Sequence, residues 1–482
     1  MAFTTQLFMF VFLPVFLLFY FITVMLEKTK SIGKFIEKIR IKDICLILFG
    51  LFFYASSGFY DVVKLVLLIV FIYCLTHFIE SYFNKNKKAV IPFVFTIAAL
   101  TLNLIYFKYM GFISYNVSRI FMDEPVQYSV WAPLGISFIT FSAISYVADV
   151  YKKKATAGSI IDCALYITFF PKVVSGPIVL WKDFQKQMPV RKHSEKKFVD
   201  GFNRVITGIA KKCILADVFG LAISEMTIGN MDRITALSSL LIYMLQIYYD
   251  FSGYSDMAIG LSKMLGFDFA ENFNFPYRSK SISEFWRRWH ISLGSWFREY
   301  IYFPLGGSRR GKVRTLFNLG VVFALTGIWH GAGWVYILWG AINGIIVIVE
   351  HLIADKKFYK SIPAWIKYIF TMLIVMLLWQ FFRCTNLEEV RMVFGAAFGK
   401  GVPVSVPYTW QYYLDRRMVT FIIIGILGST VLGSNKIHEN YNRFIHSKYG
   451  YLIQEIVLVA LFLLGLMFMV SSNYSPFIYF QY

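Results

Sequence analysis

A chain of 482 residues that is 57% hydrophobic, 19% aromatic and only 16% charged falls well below the roughly 25% charge of soluble domains. That excludes a soluble enzyme and indicates an integral membrane protein, with no polar linker to divide it, so one transmembrane domain over 1–482 is expected. The net charge of +20 does not call for nucleic acid, because basic residues collect in cytoplasmic loops and meet anionic lipid headgroups.

Residues 6–26 form a first span of the ~20 apolar residues that cross a bilayer as helix. The first lysine is Lys28, beyond that run, so the basic start of a cleavable signal peptide is missing and the N-terminus is expected outside. Lys28, Lys30, Lys34, Lys38, Arg40 and Lys42 mark a cytoplasmic loop. Residues 43–55 and 59–79 make an apolar hairpin returning to Lys85, Lys87 and Lys88, 89–107 lead out, and 131–150 lead back to Lys152–Lys154. The run 159–180 carries Pro171, Gly176 and Pro177, which break helices. Basic residues at both of its ends point to a re-entrant element, the wall of a cavity. Residues 202–228 are amphipathic and expected at the inner surface.

Farther on, Arg309, Arg310, Lys312 and Arg314 lie inside. Residues 315–350 go out and back, 363–382 lead out, 418–434 lead in, and 450–470 leave Tyr482 outside. The expectation is an all-α polytopic protein of ten to eleven membrane elements. Five scattered cysteines, Cys45, Cys74, Cys163, Cys213 and Cys384, show no spacing for disulfides or a metal.

Ionisable groups are costly in hydrocarbon, about 2.5–3.5 kcal/mol each at a helix centre, so their gathering in 248–340 marks a candidate site. Asp250 and Asp256 lie in Tyr248-Tyr-Asp-Phe-Ser-Gly-Tyr-Ser-Asp256 and need partners, which Tyr248, Tyr249, Ser252, Tyr254 and Ser255 are placed to supply. Six residues apart, they do not form a carboxylate dyad; they either orient a histidine or fix helix packing. Ser281 and Glu284 fit a capping box. On the helix it starts, Trp286, His290 and Phe297 share one face, with Arg287, Arg288 and Arg298 at a wet edge. Spacing alone leaves His290 either a functional group or a bystander on an interfacial aromatic helix. His330, between Trp329 and two glycines in an apolar hairpin, is a functional candidate by its depth, or else a hydrogen-bonded structural residue. No Gly-x-Ser-x-Gly elbow, P-loop or His-Glu-x-x-His motif occurs.

Four stretches, in order, resemble the membrane-bound O-acyltransferase family: Asp250-Phe-Ser-Gly-Tyr-Ser-Asp-Met-Ala-Ile-Gly260; Glu284-Phe-Trp-Arg-Arg-Trp-His-Ile-Ser-Leu293 with Trp296-Phe-Arg298; Pro304-Leu-Gly-Gly307; and Thr326-Gly-Ile-Trp-His-Gly-Ala-Gly-Trp334. Phe169-Phe-Pro171, Gly176-Pro-Ile178, the opening Phe8–Tyr20 and the ending Pro476–Gln481 extend the likeness, most closely toward the branch that O-acetylates secreted polysaccharides. Many relatives have a histidine where this chain has Asn343, so no role for a third histidine carries over.

The resemblance implies an irregular ring of helices around a thin centre with funnels from both faces, in the cell membrane. It places the active-site histidines on His290 and His330; Asp250, Tyr254, Asp256, Trp286, Arg288 and Trp329 around them are the candidate supporting or substrate-lining residues. It implies acetyl-CoA as donor substrate with no bound cofactor, a polysaccharide acceptor, and a separate extracytoplasmic partner of the hydrolase-like Ser-Gly-Asn-His type. Acyl transfer from a thioester needs a base, oxyanion stabilisation and exclusion of water. His330 is expected to deprotonate the acceptor hydroxyl, and His290 to donate to the carbonyl oxygen or position the thioester. Transfer through an acylated intermediate is equally compatible. The alternatives are D-alanyl transfer from a carrier protein to teichoic acid and, in another class, a proton-coupled transporter or scramblase, which predicts inverted repeats.

Overall fold

In hydrocarbon a helix satisfies every backbone N–H and C=O within one segment, and long apolar runs with few charges adopt it. The computed structural model describes residues 1–29, 33–84, 88–403 and 405–471; Lys30, Lys85, Lys87, the Pro476–Gln481 ending and Tyr482 lie outside them. Among the described residues all regular elements are helical, and nine helices are long and apolar enough to cross a membrane. Ten to eleven membrane elements were expected. The difference lies in short pieces: Ile136–Tyr151 is a shorter apolar helix, Ile41–Ala55 has 15 residues, and the run 159–180, expected to be re-entrant, is broken at Phe169. Elsewhere the helices overrun the expected bounds, as in Val90–Phe121 against 89–107.

The described chain forms two units, Met1–Phe202 with Met257–Ala270, and Asn203–Asp256 with Glu271 onward. In the first, Ser159 starts the helix Ile160–Thr168 through a capping box with Asp162. The helix stops at Phe169, whose ψ of 93° leaves the helical region, and Pro171 opens a single further turn over Phe170–Val173. Chain without regular structure then leads to Trp181–Gln187. The break expected from Pro171, Gly176 and Pro177 is present, and the segment is buried almost throughout. Its one cation, Lys172, is buried, donates to Ser142 Oγ at 2.9 Å and lies over the Tyr166 ring.

In the second unit, the stretch expected to be amphipathic buries one side of its helices and leaves the other half-exposed. A π-helical stretch Ala210–Ala216 leads into Asp217–Glu225, with Lys212, Cys213, Ala216 and Phe219 buried. Lys211 and Lys212 are counter-ions of the motif carboxylates Asp256 and Asp250. The chain also needs to come close here. A Cβ on Gly253 would meet the Gly208 carbonyl oxygen at 2.9 Å, so only glycine lets the backbones approach.

The hairpin Lys312–His330 and Trp334–Ile353 matches the expected 315–350 element, with His330 at its turn. Its helices cross at Gly327 and Gly340, where a Cβ on either would lie within 3.0 Å of the other's Cα.

Candidate active site

The predicted continuous helix through His290 does not form. Ser281 caps Ile282–Arg288 by accepting from the Glu284 amide, while the Glu284 carboxylate reaches one residue past the cap to the Lys280 amide at 2.9 Å. The helix ends at Trp289, which is extended (φ −101°, ψ 131°). His290 follows in the left-handed region (φ 45°, ψ 53°), and a second helix runs over Ile291–Phe297. A left-handed non-glycine residue is strained, persists only where its surroundings over-determine it, and marks functional sites.

The surroundings here are the loop Asn272–Asn274. The Asn274 amide donates to the Arg288 carbonyl and the Ile291 amide to the Asn272 carbonyl, both at 2.9 Å. The Asn272 side chain completes the brace. Its Oδ1 lies 3.2 Å from His290 Nδ1 and 3.2 Å from the Ser292 amide, and accepts from Ser292 Oγ at 2.8 Å. Its Nδ2 donates to Ser255 Oγ at 2.9 Å. The Phe251 ring stands edge-on to the imidazole with centroids 4.6 Å apart.

His290 is 2% exposed and lies on the wall of a cavity of about 320 Å³ with Trp286, Trp289, Gly294 and Phe297. Burial pushes its pKa down to about 3, so at neutral pH the imidazole is uncharged; His290 lies outside the candidate spans. Arg287, Ser283 and His351 line both this cavity and a second one of about 630 Å³, whose wall carries Lys280, Lys360 and Lys367. An apolar chamber at the histidine thus adjoins a basic one.

His330 is 5% exposed and is not among the residues lining either cavity. The rings of Trp329, Trp339 and Phe382 enclose it at centroid distances of 4.7, 5.1 and 4.9 Å. Trp329 also contacts His290 at 6.2 Å, so a single indole touches both imidazoles.

The other expected residues divide. Trp286 lines the cavity and donates from Nε1 to Asn343 Oδ1 at 3.1 Å; Asn343, at the position where many relatives have histidine, is a structural acceptor. Arg288 faces away, paired with Glu284 at 2.9 Å and donating to the Asn274 carbonyl at 3.2 Å. Its neighbour Arg287 takes the cavity position. Tyr254 is buried off the cavity wall. Asp250 pairs with Lys212 at 2.6 Å, and Lys212 also pairs with Asp217 at 2.6 Å. Asp256 accepts from Arg204 at 2.8 Å and Lys211 at 2.6 Å. Both carboxylates thus pair with cations of the segment that holds Arg204, Lys211 and Lys212. Two other residues of that motif reach the histidine, Phe251 through its ring and Ser255 through Asn272.

Sequence reasoning missed Asn272. The available signal was two asparagines alternating with phenylalanines over Asn272–Phe275, polar groups in an apolar run that need partners when buried. Glu350 was missed as well: its carboxylate accepts from the Ile282 and Ser283 amides at 2.7 and 2.8 Å and from Ser283 Oγ at 2.7 Å, holding the start of the helix that leads to His290.

The sequence is similar to those of known membrane acyltransferases. The chain is 35% identical over 457 residues to the probable alginate O-acetylase AlgI of Pseudomonas aeruginosa, covering 93% of this chain and 84% of that one. It is 32% identical to the peptidoglycan O-acetyltransferase of Helicobacter pylori over 83% of this chain and 80% of that one. It is 30% identical to the teichoic acid D-alanyltransferase of Bacillus subtilis over 59% of this chain and 75% of that one. The model of the MBOAT, membrane-bound O-acyltransferase family, matches residues 49–387. With both histidine motifs inside that match, the chain belongs to the membrane-bound O-acyltransferase family.

Proposed function

We propose that this multi-pass membrane acyltransferase takes an acetyl group from acetyl-CoA on the cytoplasmic side and delivers it for O-acetylation of a secreted or cell-surface polysaccharide. The observation that carries the reading is the placement of His290, neutral and buried, on the wall of a chamber that adjoins a basic one. Arg287, Lys280, Lys360 and Lys367 match the phosphates of a coenzyme A thioester, and the aromatic chamber beside them excludes water from the reacting acyl group. Acetyl rather than D-alanyl transfer is favoured by the 93% coverage of this chain by the alginate relative against 59% by the D-alanyltransferase.

The acceptor oxygen attacks the thioester carbonyl carbon, the C–S bond breaks, and the hydroxyl proton passes through an imidazole to the departing thiolate. His330 is the base for that proton, and His290 meets the substrate from the cavity wall. Delivery to the polysaccharide passes through a separate extracytoplasmic acetyltransferase of the Ser-Gly-Asn-His type, with both termini of the present chain on that side.

The test uses the full chain in liposomes with acetyl-labelled coenzyme A and follows loss of label from the thioester. Loss with the wild type and none with His330→Ala supports the reading. Undiminished loss with His330→Ala overturns it.

A further inference from the structure

A backbone N–H can only donate, which fixes the identity of the atoms around His290. The Ser292 amide approaches one side-chain atom of Asn272 at 3.2 Å, so that atom is the oxygen. The other is the nitrogen, donating to Ser255 Oγ at 2.9 Å. Ser292 Oγ also gives its proton to the same oxygen at 2.8 Å. His290 Nδ1 lies 3.2 Å from that oxygen, and two lone pairs repel at such a distance. Nδ1 therefore carries the imidazole proton and Nε2 is bare, an assignment made from the network of donors. Among the described residues Nε2 is buried with no hydrogen-bond partner, on a residue that lines the cavity.

We propose that Asn272 is a positioning residue that fixes His290 in the Nδ1–H tautomer, so that His290 meets its substrate as a hydrogen-bond acceptor. The inference rests on the acyltransferase reading above and narrows it. Of the two roles left open for His290, donation of a proton to the thioester carbonyl is removed. A bare nitrogen receives an O–H or N–H brought into the chamber and turns it toward the reaction. The thioester oxygen must find its donors elsewhere.

Asn272 is 0% exposed and its backbone carbonyl also braces the helix break, so loss of activity alone would not separate positioning from folding. The carbonyl survives any substitution at this position, and aspartate keeps the acceptor oxygen. The groups that set the electrostatics are nearby. Arg287, Arg298, Tyr302 and His351 lie on the cavity wall. On the helix that carries Phe251 and Ser255, Asp256 is paired with Arg204 and Lys211, and Asp250 shares Lys212 with Asp217. His330 stands beyond Trp329. A carboxylate at 272 adds an unmatched negative charge beside Nδ1 and favours the imidazolium.

The experiment is solid-state NMR of the full chain, ¹⁵N-labelled at histidine and reconstituted in bilayers, with His290 assigned by subtraction of His290→Gln. The expected spectrum has a protonated Nδ1 and a bare Nε2. Asn272→Asp should retain that tautomer, retain transfer, and move an acid limb of the rate profile to higher pH. Asn272→Leu, judged folded by an unchanged elution profile, should mix the tautomers and lower transfer by roughly 10²-fold, the lower end of what a positioned imidazole contributes. A protonated Nε2 in the wild type overturns the proposal, as does Asn272→Leu with an unchanged tautomer. If the wild type transfers no acetyl while its spectrum shows a bare Nε2, it is the acyltransferase reading that has failed.

Discussion

Trp286 and Asn343 are joined by one hydrogen bond, indole Nε1 to amide Oδ1 at 3.1 Å, with the Asn343 nitrogen satisfied by the Trp339 carbonyl at 2.9 Å. Asn343 is 2% exposed. Asn343→Leu removes the acceptor of a half-buried indole N–H, a loss of about 0.5–1.5 kcal/mol for one hydrogen bond. Thermal unfolding in detergent, followed by tryptophan fluorescence, should register the loss. Asn343→Gln or →His, which keep an acceptor, should lose less, and equal losses for all three would refute the account.

Gly294 lines the His290 cavity and a Cβ there meets nothing within 4 Å. Side chains added at this position therefore grow into the chamber without disturbing the wall. Gly294→Ala should be neutral or stabilising by up to about 1 kcal/mol, since glycine is the poorer helix former. Gly294→Leu and Gly294→Phe should raise the KM for the acyl donor in order of size while leaving the melting temperature near that of the alanine variant. Steady-state kinetics across the series decides it; a KM independent of side-chain volume means that the donor does not use this chamber.

Lys212 sits between Asp250 and Asp217 at 2.6 Å from each and is 1% exposed. Removing one member of a buried ion cluster leaves charge uncompensated, at about 3–5 kcal/mol. Lys212→Met should therefore abolish accumulation of folded protein, and the triple change with Asp250→Asn and Asp217→Asn should recover much of it. The measurement is the monodisperse fraction on size exclusion. No recovery in the triple variant would show that the cation does more than balance charge.

Burial holds the folded-state pKa of His290 at about 3, against roughly 6.5 in an unfolded chain. Between those values the unfolded state binds the extra proton. Stability is thus unaffected by this group above pH ~6.5 and falls as pH drops below it, by up to about 1.4 kcal/mol per pH unit. His290→Gln should flatten that acid limb between pH 6.5 and 5, read as Tm against pH. An unchanged limb would mean that His290 is already protonated in the native state.

Much of the site was legible because hydrocarbon makes polar residues conspicuous. His290, His330, Trp286 and Trp329 stood out as a charge-poor chain's concentrated polar and aromatic groups, and the structure brings them together. The capping at Ser281 and the break at Pro171 are local chemistry, written within a few residues, and both formed. What failed was set by contacts across the chain. A helix through His290 satisfies local spacing; the left-handed turn there is imposed by Asn272, eighteen residues away. The cations of Asp250 and Asp256 lie on a segment whose polar face looked like a surface, because a lysine that points at a buried carboxylate and one that points at water have the same pattern.

Asn343 and Glu350 sit seven residues apart on one helix, two turns and so one face, and they hold Trp286 and Ser283, three apart on another. This double clamp fastens the element preceding His290 to the hairpin whose turn carries His330. The placement of the two imidazoles relative to each other therefore depends on this clamp. A substitution at either end of the clamp, Asn343 or Glu350, therefore bears on the placement of His290 as well as on the hairpin.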